Sequence, residues 1–261
     1  MRSPFPALLL CLPLLSAGCY EPGQTEIARG NVLASQRKLG EAVEAYRAAA
    51  KVAPQKARPR ELLGHVLFDL HRLPEAKAAY EDAIRVDPQA ALEAQIGLAR
   101  LEAEEGHLGA AIDHLGQVIL RQPGNVYARL SRANVAMRRG EPADAELAVT
   151  DTAAAMQVDA SNPSVLYTRG CAFIAAADLP KAQESFELLA KAHPQSPLAP
   201  YGLARVAGAR KARADVILQL REARARAKGI PGAWKVEEVR DDPAFTFMKA
   251  DPELLKELSE P

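Results

Sequence analysis

Five histidines and three cysteines are the side chains in this 261-residue chain that could ligate a metal, act as a thiol nucleophile or move a proton. Metal binding from one helix face asks for imidazoles at i and i+4. His65, His71, His107 and His114 offer no such pair, and His65 and His71 straddle an expected helix and its turn. They read as exposed or groove-lining. His193 precedes Pro194 at an expected helix end, where a cation suits the dipole, so it reads as a cap. Cys171 follows Gly170 inside an expected helix with no base beside it, and reads as a small, semi-buried apolar residue. GxSxG, HExxH and phosphate-loop patterns are absent. These residues predict no enzyme, no catalytic residue, no metal, no cofactor and no small-molecule substrate.

The elements that must carry these residues are predicted to be helices. Apolar residues make up 48% of the chain but aromatics only 5%, and Ala and Leu dominate over β-branched types, which favours helix over sheet. Lys+Arg and Asp+Glu are equal at 33 each, so the basic surplus that neutralises phosphates is missing and a nucleic-acid partner is excluded.

Residues 1–19 read as an address. Arg2 precedes the apolar run Ala7–Leu15, which is too short to span a membrane and contains Pro13. Leu15-Ser16-Ala17-Gly18-Cys19 resembles the lipobox of bacterial lipoproteins. That resemblance implies a signal peptide over 1–18, acylation (palmitate or a related chain) of Cys19 as the first mature residue, and a tether over 19–22. Tyr20 rather than Asp after the cysteine implies an outer-membrane destination, with the lipid-anchored chain facing the periplasm. Loss of Cys11 and acylation of Cys19 would leave Cys171 alone, so no intrachain disulfide is expected. From Cys19 to Gln24 the chain reaches at most about 18 Å, which keeps the rest membrane-proximal.

Self-comparison shows a repeat of about 34 residues. Aligning Pro54 on Pro88 sets Gly30 over Gly64, Leu33 over Leu67, Ala42 over Ala76, Tyr46 over Tyr80 and Ala49 over Ala83. Units begin near residues 23, 57, 92, 126, 163 and 197; the fourth is about three residues longer and carries Pro142 in its turn. The pattern resembles the tetratricopeptide repeat, best in Leu63-Gly64-x2-Leu67…Ala76-x3-Tyr80…Pro88. The resemblance implies an all-α fold: a right-handed superhelical solenoid of about six helix-turn-helix units over 23–230. Gly or Ala at 30, 64, 99, 133, 170 and 204 lets paired helices approach closely. After Gly229 the pattern stops. Asp242-Pro243 and Asp251-Pro252 are helix starts, and residues 231–261 are expected to cap the last apolar face through Trp234, Val236, Val239, Phe245, Phe247, Leu254 and Leu255.

The resemblance also implies a groove lined by first helices, suited to a protein or peptide partner. The residue after each close-packing position is Asn31, His65, Arg100, Asn134, Cys171 or Arg205, joined by Phe68, Asp69, Met137, Tyr167, Ile174 and Tyr201. Ile27 and Glu61 stand where chaperone-binding relatives would need basic residues, which argues against a tail-clamping role. Residues 202–235 carry nine basic and two acidic groups, and residues 236–261 carry eight acidic and three basic. The lid is expected to neutralise the last repeat, the alternative being an anionic partner or lipid headgroup site on the sixth repeat. Anchor, tether and repeat number together resemble the pilotin lipoproteins of type IV pilus systems. That implies a non-enzymatic adaptor whose partner is an envelope protein such as a secretin; a scaffold for a motility, secretion or peptidoglycan-synthesis complex is the alternative.

Overall fold

The computed structural model describes residues 22–230 and 236–259, and every regular element among them is helical. Twelve helices of 12 to 15 residues form pairs: α1 (Gln24–Ser35) with α2 (Leu39–Val52), α3 (Arg58–Asp69) with α4 (Leu73–Val86), α5 (Leu92–Glu104) with α6 (Leu108–Arg121), α7 (Val126–Arg139) with α8 (Asp144–Val158), α9 (Pro163–Ala175) with α10 (Leu179–Ala192), and α11 (Leu198–Ala209) with α12 (Arg213–Ala227). Three short elements follow: α13 (Val236–Asp241), a 3₁₀ helix (Pro243–Met248) and α14 (Pro252–Ser259). The chain divides into two compact units, α1–α4 up to Ala91 and α5–α14 from Leu92. The division falls in a turn closed by Asp87, whose carboxylate accepts from the Gln89 and Ala90 N–H groups at 3.1 and 3.0 Å.

Within each unit every one of the twelve paired helices packs on the next, because one pair alone leaves an apolar face uncovered. In three of the pairs an aromatic of the second helix fits against a bare glycine of the first. A Cβ on Gly30 would overlap the fully buried Tyr46 ring, and Gly64 stands in the same relation to Tyr80. Phe186 of α10 is held from two sides, by Gly170 of α9 and Gly202 of α11.

The turns inside the pairs repeat one geometry. Arg37, His71, Gly106, Ala177 and Lys211 each take a left-handed conformation, with φ of 57–61° at the four non-glycine positions. The following N–H reaches back to a helix carbonyl, as in Arg72 N–H to Leu67 O and Asp178 N–H to Phe173 O, both 2.9 Å. The longer fourth unit instead ends α7 on Gly140 at φ 71° and inserts a four-residue turn containing Pro142. There α7 lays its arginines over the small residues of α6, Arg132 against Gly116 and Arg139 near Gly109. Asp151 of α8, fully buried, accepts from Arg129 Nη1 at 3.0 Å and from Arg132 Nε and Nη2 at 2.7 and 2.8 Å.

The segment after Gly229 lies over the end of α11 and α12. Val239, Phe245, Met248 and Leu254 join Ala204, Ala207, Val216, Ile217 and Leu220 in one core. Phe247 and Leu255, expected in that core, are 42% and 46% exposed, and Met248 takes the place instead. The reason is local: residues 243–248 form a 3₁₀ helix, whose period of three brings Phe245 and Met248 to one side and turns Phe247 away. Trp234 lies outside the described residues.

Candidate functional site

A cleft of about 250 Å³ opens between α5 and α7 in the second unit. Its α7 wall is Tyr127, Ser131, Asn134 and Arg138, spaced +4, +3, +4 so that they form one helical stripe. Its α5 wall is Ile96, Ala99, Arg100, Ala103 and Glu104, with Leu115 and Val135 at the floor. Tyr127 is 60% exposed, and Arg100 and Asn134 are exposed on the rim. Arg100 Nε lies 3.8 Å from Glu104 on its own helix, a loose surface pair. Arg138 Nη2 donates to the Ala103 carbonyl at 3.0 Å and anchors one end of the stripe. The cleft therefore combines an apolar floor with two guanidinium groups, an amide and two hydroxyls. Such a set holds an extended or helical polypeptide by burial and hydrogen bonds, and contains no pair arranged for proton transfer.

Arg100 and Asn134 of the expected groove residues face this cleft, joined by Tyr127, Ser131 and Arg138, which the one-residue-per-repeat rule passed over. The +4, +3, +4 stripe on α7 is the signal that finds them. The other expected residues have different surroundings. In the first unit, Asn31 accepts from the Tyr46 hydroxyl at 2.8 Å and His65 Nδ1 shares a 2.9 Å hydrogen bond with the Tyr80 hydroxyl. These two residues anchor the tyrosines whose rings rest on Gly30 and Gly64. Phe68 is buried in α3, a core residue rather than a groove one, and Asp69 is exposed at the α3 end. Met137 and Ile174 pack against buried clusters beside Phe173 and Phe186.

At the α9–α11 end, the expected open groove is closed. Arg205 Nη1 donates to Cys171 Sγ at 2.8 Å, and its Nε lies 3.1 Å from Asp242 Oδ2 of the C-terminal segment. The Tyr201 hydroxyl donates to the same carboxylate oxygen at 2.8 Å. Tyr167 completes the cluster against Cys171 and Arg205. Burial pushes the Tyr167 and Tyr201 hydroxyls well above the usual phenol range, Asp242 adding to the effect at Tyr201. Burial likewise raises the Cys171 thiol, against the opposing pull of Arg205, so Cys171 stays a neutral thiol. Burial by itself would lower Arg205, but the pull of the groups around it, the Asp242 carboxylate at 3.1 Å among them, outweighs that and keeps it protonated. Asp242 is missing from a groove reading based on first helices because it arrives from 37 residues downstream of Arg205.

The histidines are dispersed, and no His, Cys, Asp and Glu group among the described residues could hold a metal. His193 is the C-cap residue of α10, its N–H donating to the Leu189 carbonyl at 2.8 Å. Its Nε2 donates to the Ser161 carbonyl at 2.6 Å, tying the α8–α9 turn to the end of α10. Among the described residues of 202–235, four arginines meet acidic partners of the C-terminal segment: Arg205 with Asp242, Arg213 with Asp251 and Glu253, Arg221 with Glu253 and Glu257, and Arg224 with Glu257. Cys19 lies outside the described residues, and no helix among those described is long and apolar enough to cross a membrane.

A sequence family described as the tetratricopeptide repeat matches residues 27–91, 61–115 and 96–161, together just over half of the chain. No curated protein matches significantly. Among solved structures, a tetratricopeptide repeat protein from Parabacteroides merdae is 15% identical, with a TM-score of 0.69 over 90% of this chain and 96% of its own. Pseudomonas aeruginosa pilF is 14% identical, TM-score 0.64, over 79% of this chain and 92% of its own. YrrB, described as having an unusual peptide-binding site, is 20% identical, TM-score 0.55, over 67% and 88%. At these identities the likeness is one of fold.

Proposed function

The chain belongs to the tetratricopeptide repeat family, and from that premise we propose that it is a non-enzymatic adaptor, a lipoprotein held at the outer membrane through Cys19, whose α5–α7 cleft grips an envelope protein. The observation that carries the reading is the cleft itself: Tyr127, Asn134 and Arg100 stand exposed around an apolar floor. The lipobox-like Leu15–Cys19 and the short tether support membrane attachment. Those features, together with six helix pairs and the fold shared with Pseudomonas aeruginosa pilF, support a pilotin-like role in which the partner is a secretin.

The test is a crosslinked pull-down from membranes of the full chain against a Tyr127→Ala/Asn134→Ala variant, read by mass spectrometry. Recovery of a secretin by the native chain, lost in the variant, supports the pilotin-like role. Recovery of a motility or cell-wall complex instead moves the protein to a scaffold. Equal recovery by both chains removes the cleft from the reading. A Cys19→Ala chain that keeps full function would remove the anchor.

A further inference from the structure

The α9–α11 face already holds a peptide, and the peptide is part of the same chain. Three features of that face match three features of the segment across it. The Arg205 guanidinium and Tyr201 hydroxyl receive one carboxylate, Asp242, whose side chain is only 8% exposed. Gly208 of α11 has no Cβ, and the Ala244 carbonyl occupies the space a Cβ would fill, so the main chain of the segment comes directly onto the helix. Three residues after Asp242, Phe245 meets Tyr201 edge-on with centroids 6.2 Å apart and is buried.

The segment is also lightly attached compared with the helices it covers. It consists of elements of six, six and eight residues, and Phe247 and Leu255 remain largely exposed. Its rim contacts run through Arg213 and Arg221, each half-exposed, where ion pairs are screened and weak. It follows Gly229, at φ 82°, and Ile230, which is 50% exposed. Short elements with few buried contacts open at lower free energy than the repeats beneath them.

We propose that Tyr201, Arg205 and Gly208 form a second binding site, filled in cis by residues 242–248, whose partner in trans is a protein segment bearing an aspartate followed three residues later by an aromatic. The incoming carboxylate replaces Asp242 on Arg205 and Tyr201, the backbone passes over Gly208, and the aromatic takes the place of Phe245. The segment of the chain itself then competes with any partner at this end. The site is separate from the α5–α7 cleft, so its failure leaves that reading standing.

Cys171 reports on the site, because the Arg205 guanidinium that donates to its sulfur at 2.8 Å is the same one that meets Asp242 at 3.1 Å. The experiment follows alkylation of Cys171 by N-ethylmaleimide in the full chain, resolved from Cys11 and Cys19 by peptide mass spectrometry. The probe is a synthetic peptide of residues 240–250, alongside its Asp242→Asn form. Asp242→Asn in the chain is expected to speed Cys171 alkylation by about tenfold, the order expected for losing a hydrogen bond to a charged group. Excess native peptide restores protection and the Asn peptide does not. Unchanged alkylation in the Asp242→Asn chain, or failure of the native peptide to protect, overturns the proposal. Should the variant lose helical circular dichroism, hydrogen exchange on the native chain decides the question. Amides of 243–248 exchanging well before those of α11 and α12 support displacement, and exchange in step with them refutes it. An Arg100→Ala chain must respond to the peptide as the native chain does.

Discussion

Phe186 gives the sharpest test of how these repeats pack. Its ring is fully buried and faces Gly170 on one side and Gly202 on the other, with a Cβ on either glycine overlapping ring atoms. In Gly170→Ala the ring cannot retreat, since Gly202 closes the far side. Overpacking of this type costs about 1–3 kcal/mol, and the double confinement places it near the upper end. Against this stands the gain of about 1 kcal/mol for replacing glycine by alanine within a helix. The expected net is a loss of about 2 kcal/mol, read as a lower urea midpoint at unchanged slope. Gly40→Ala in α2 is the control: nothing lies within 4 Å of its Cβ, so only the propensity gain remains and stability should rise. Gly170→Ala combined with Phe186→Leu should recover part of the loss, giving a coupling of about 0.5–3 kcal/mol between contacting sites. If Gly170→Ala alone raises stability as Gly40→Ala does, the glycines do not set the helix approach and the packing argument is wrong.

Other outcomes follow from single features of the structure. Ala177 is an L residue at φ 58°, so Ala177→Gly should stabilise by about 0.5–1 kcal/mol in urea titrations, the relief of left-handed strain exceeding the entropy glycine brings to the unfolded chain. Asp151→Ala should cost about 3 kcal/mol by the same measurement, because it leaves the Arg129 and Arg132 guanidiniums without their buried acceptor. Asp251 is lowered from its ordinary 3.8 to about 2, chiefly by Arg213, with the Leu254 and Glu253 N–H groups assisting against burial. A depressed acid stabilises the fold above its unfolded value, so this contribution is whole above pH 3.8 and fades as the pH falls toward 2. The difference in melting temperature between the native chain and Asp251→Asn should shrink across that window.

Much of the fold was legible because the repeat writes its packing into a fixed period. Gly30, Gly64 and Gly170 recur with Tyr46, Tyr80 and Phe186 sixteen residues later, and each glycine faces its aromatic in the structure. Gly202 and Gly208 escaped notice since they serve neighbours outside their own pair, Phe186 of the preceding second helix and the Ala244 backbone. The left-handed turns were hidden because Arg37, His71, Ala177 and Lys211 occupy a position where glycine would have announced itself. Arg100 and Asn134 were found in the cleft by their repeat position, whereas Tyr127 and Arg138 required the spacing along α7. Repeat position could not show that Tyr201 and Arg205 are covered, because Asp242 lies outside any repeat and its contact is set by tertiary structure alone.

The layer formed by Val239, Phe245, Met248 and Leu254 also decides where growth of the array stops. Each helix pair is built to receive another, so the last pair without a cover is a template with no termination rule. A chain ending at Gly229 would present Ala204, Ala207, Val216, Ile217 and Leu220 to solvent, and identical chains could meet there. The native segment covers these residues, and α14 closes on Arg221 and Arg224 through Glu257. The cover over the last helix pair thus bears on solubility before it bears on binding.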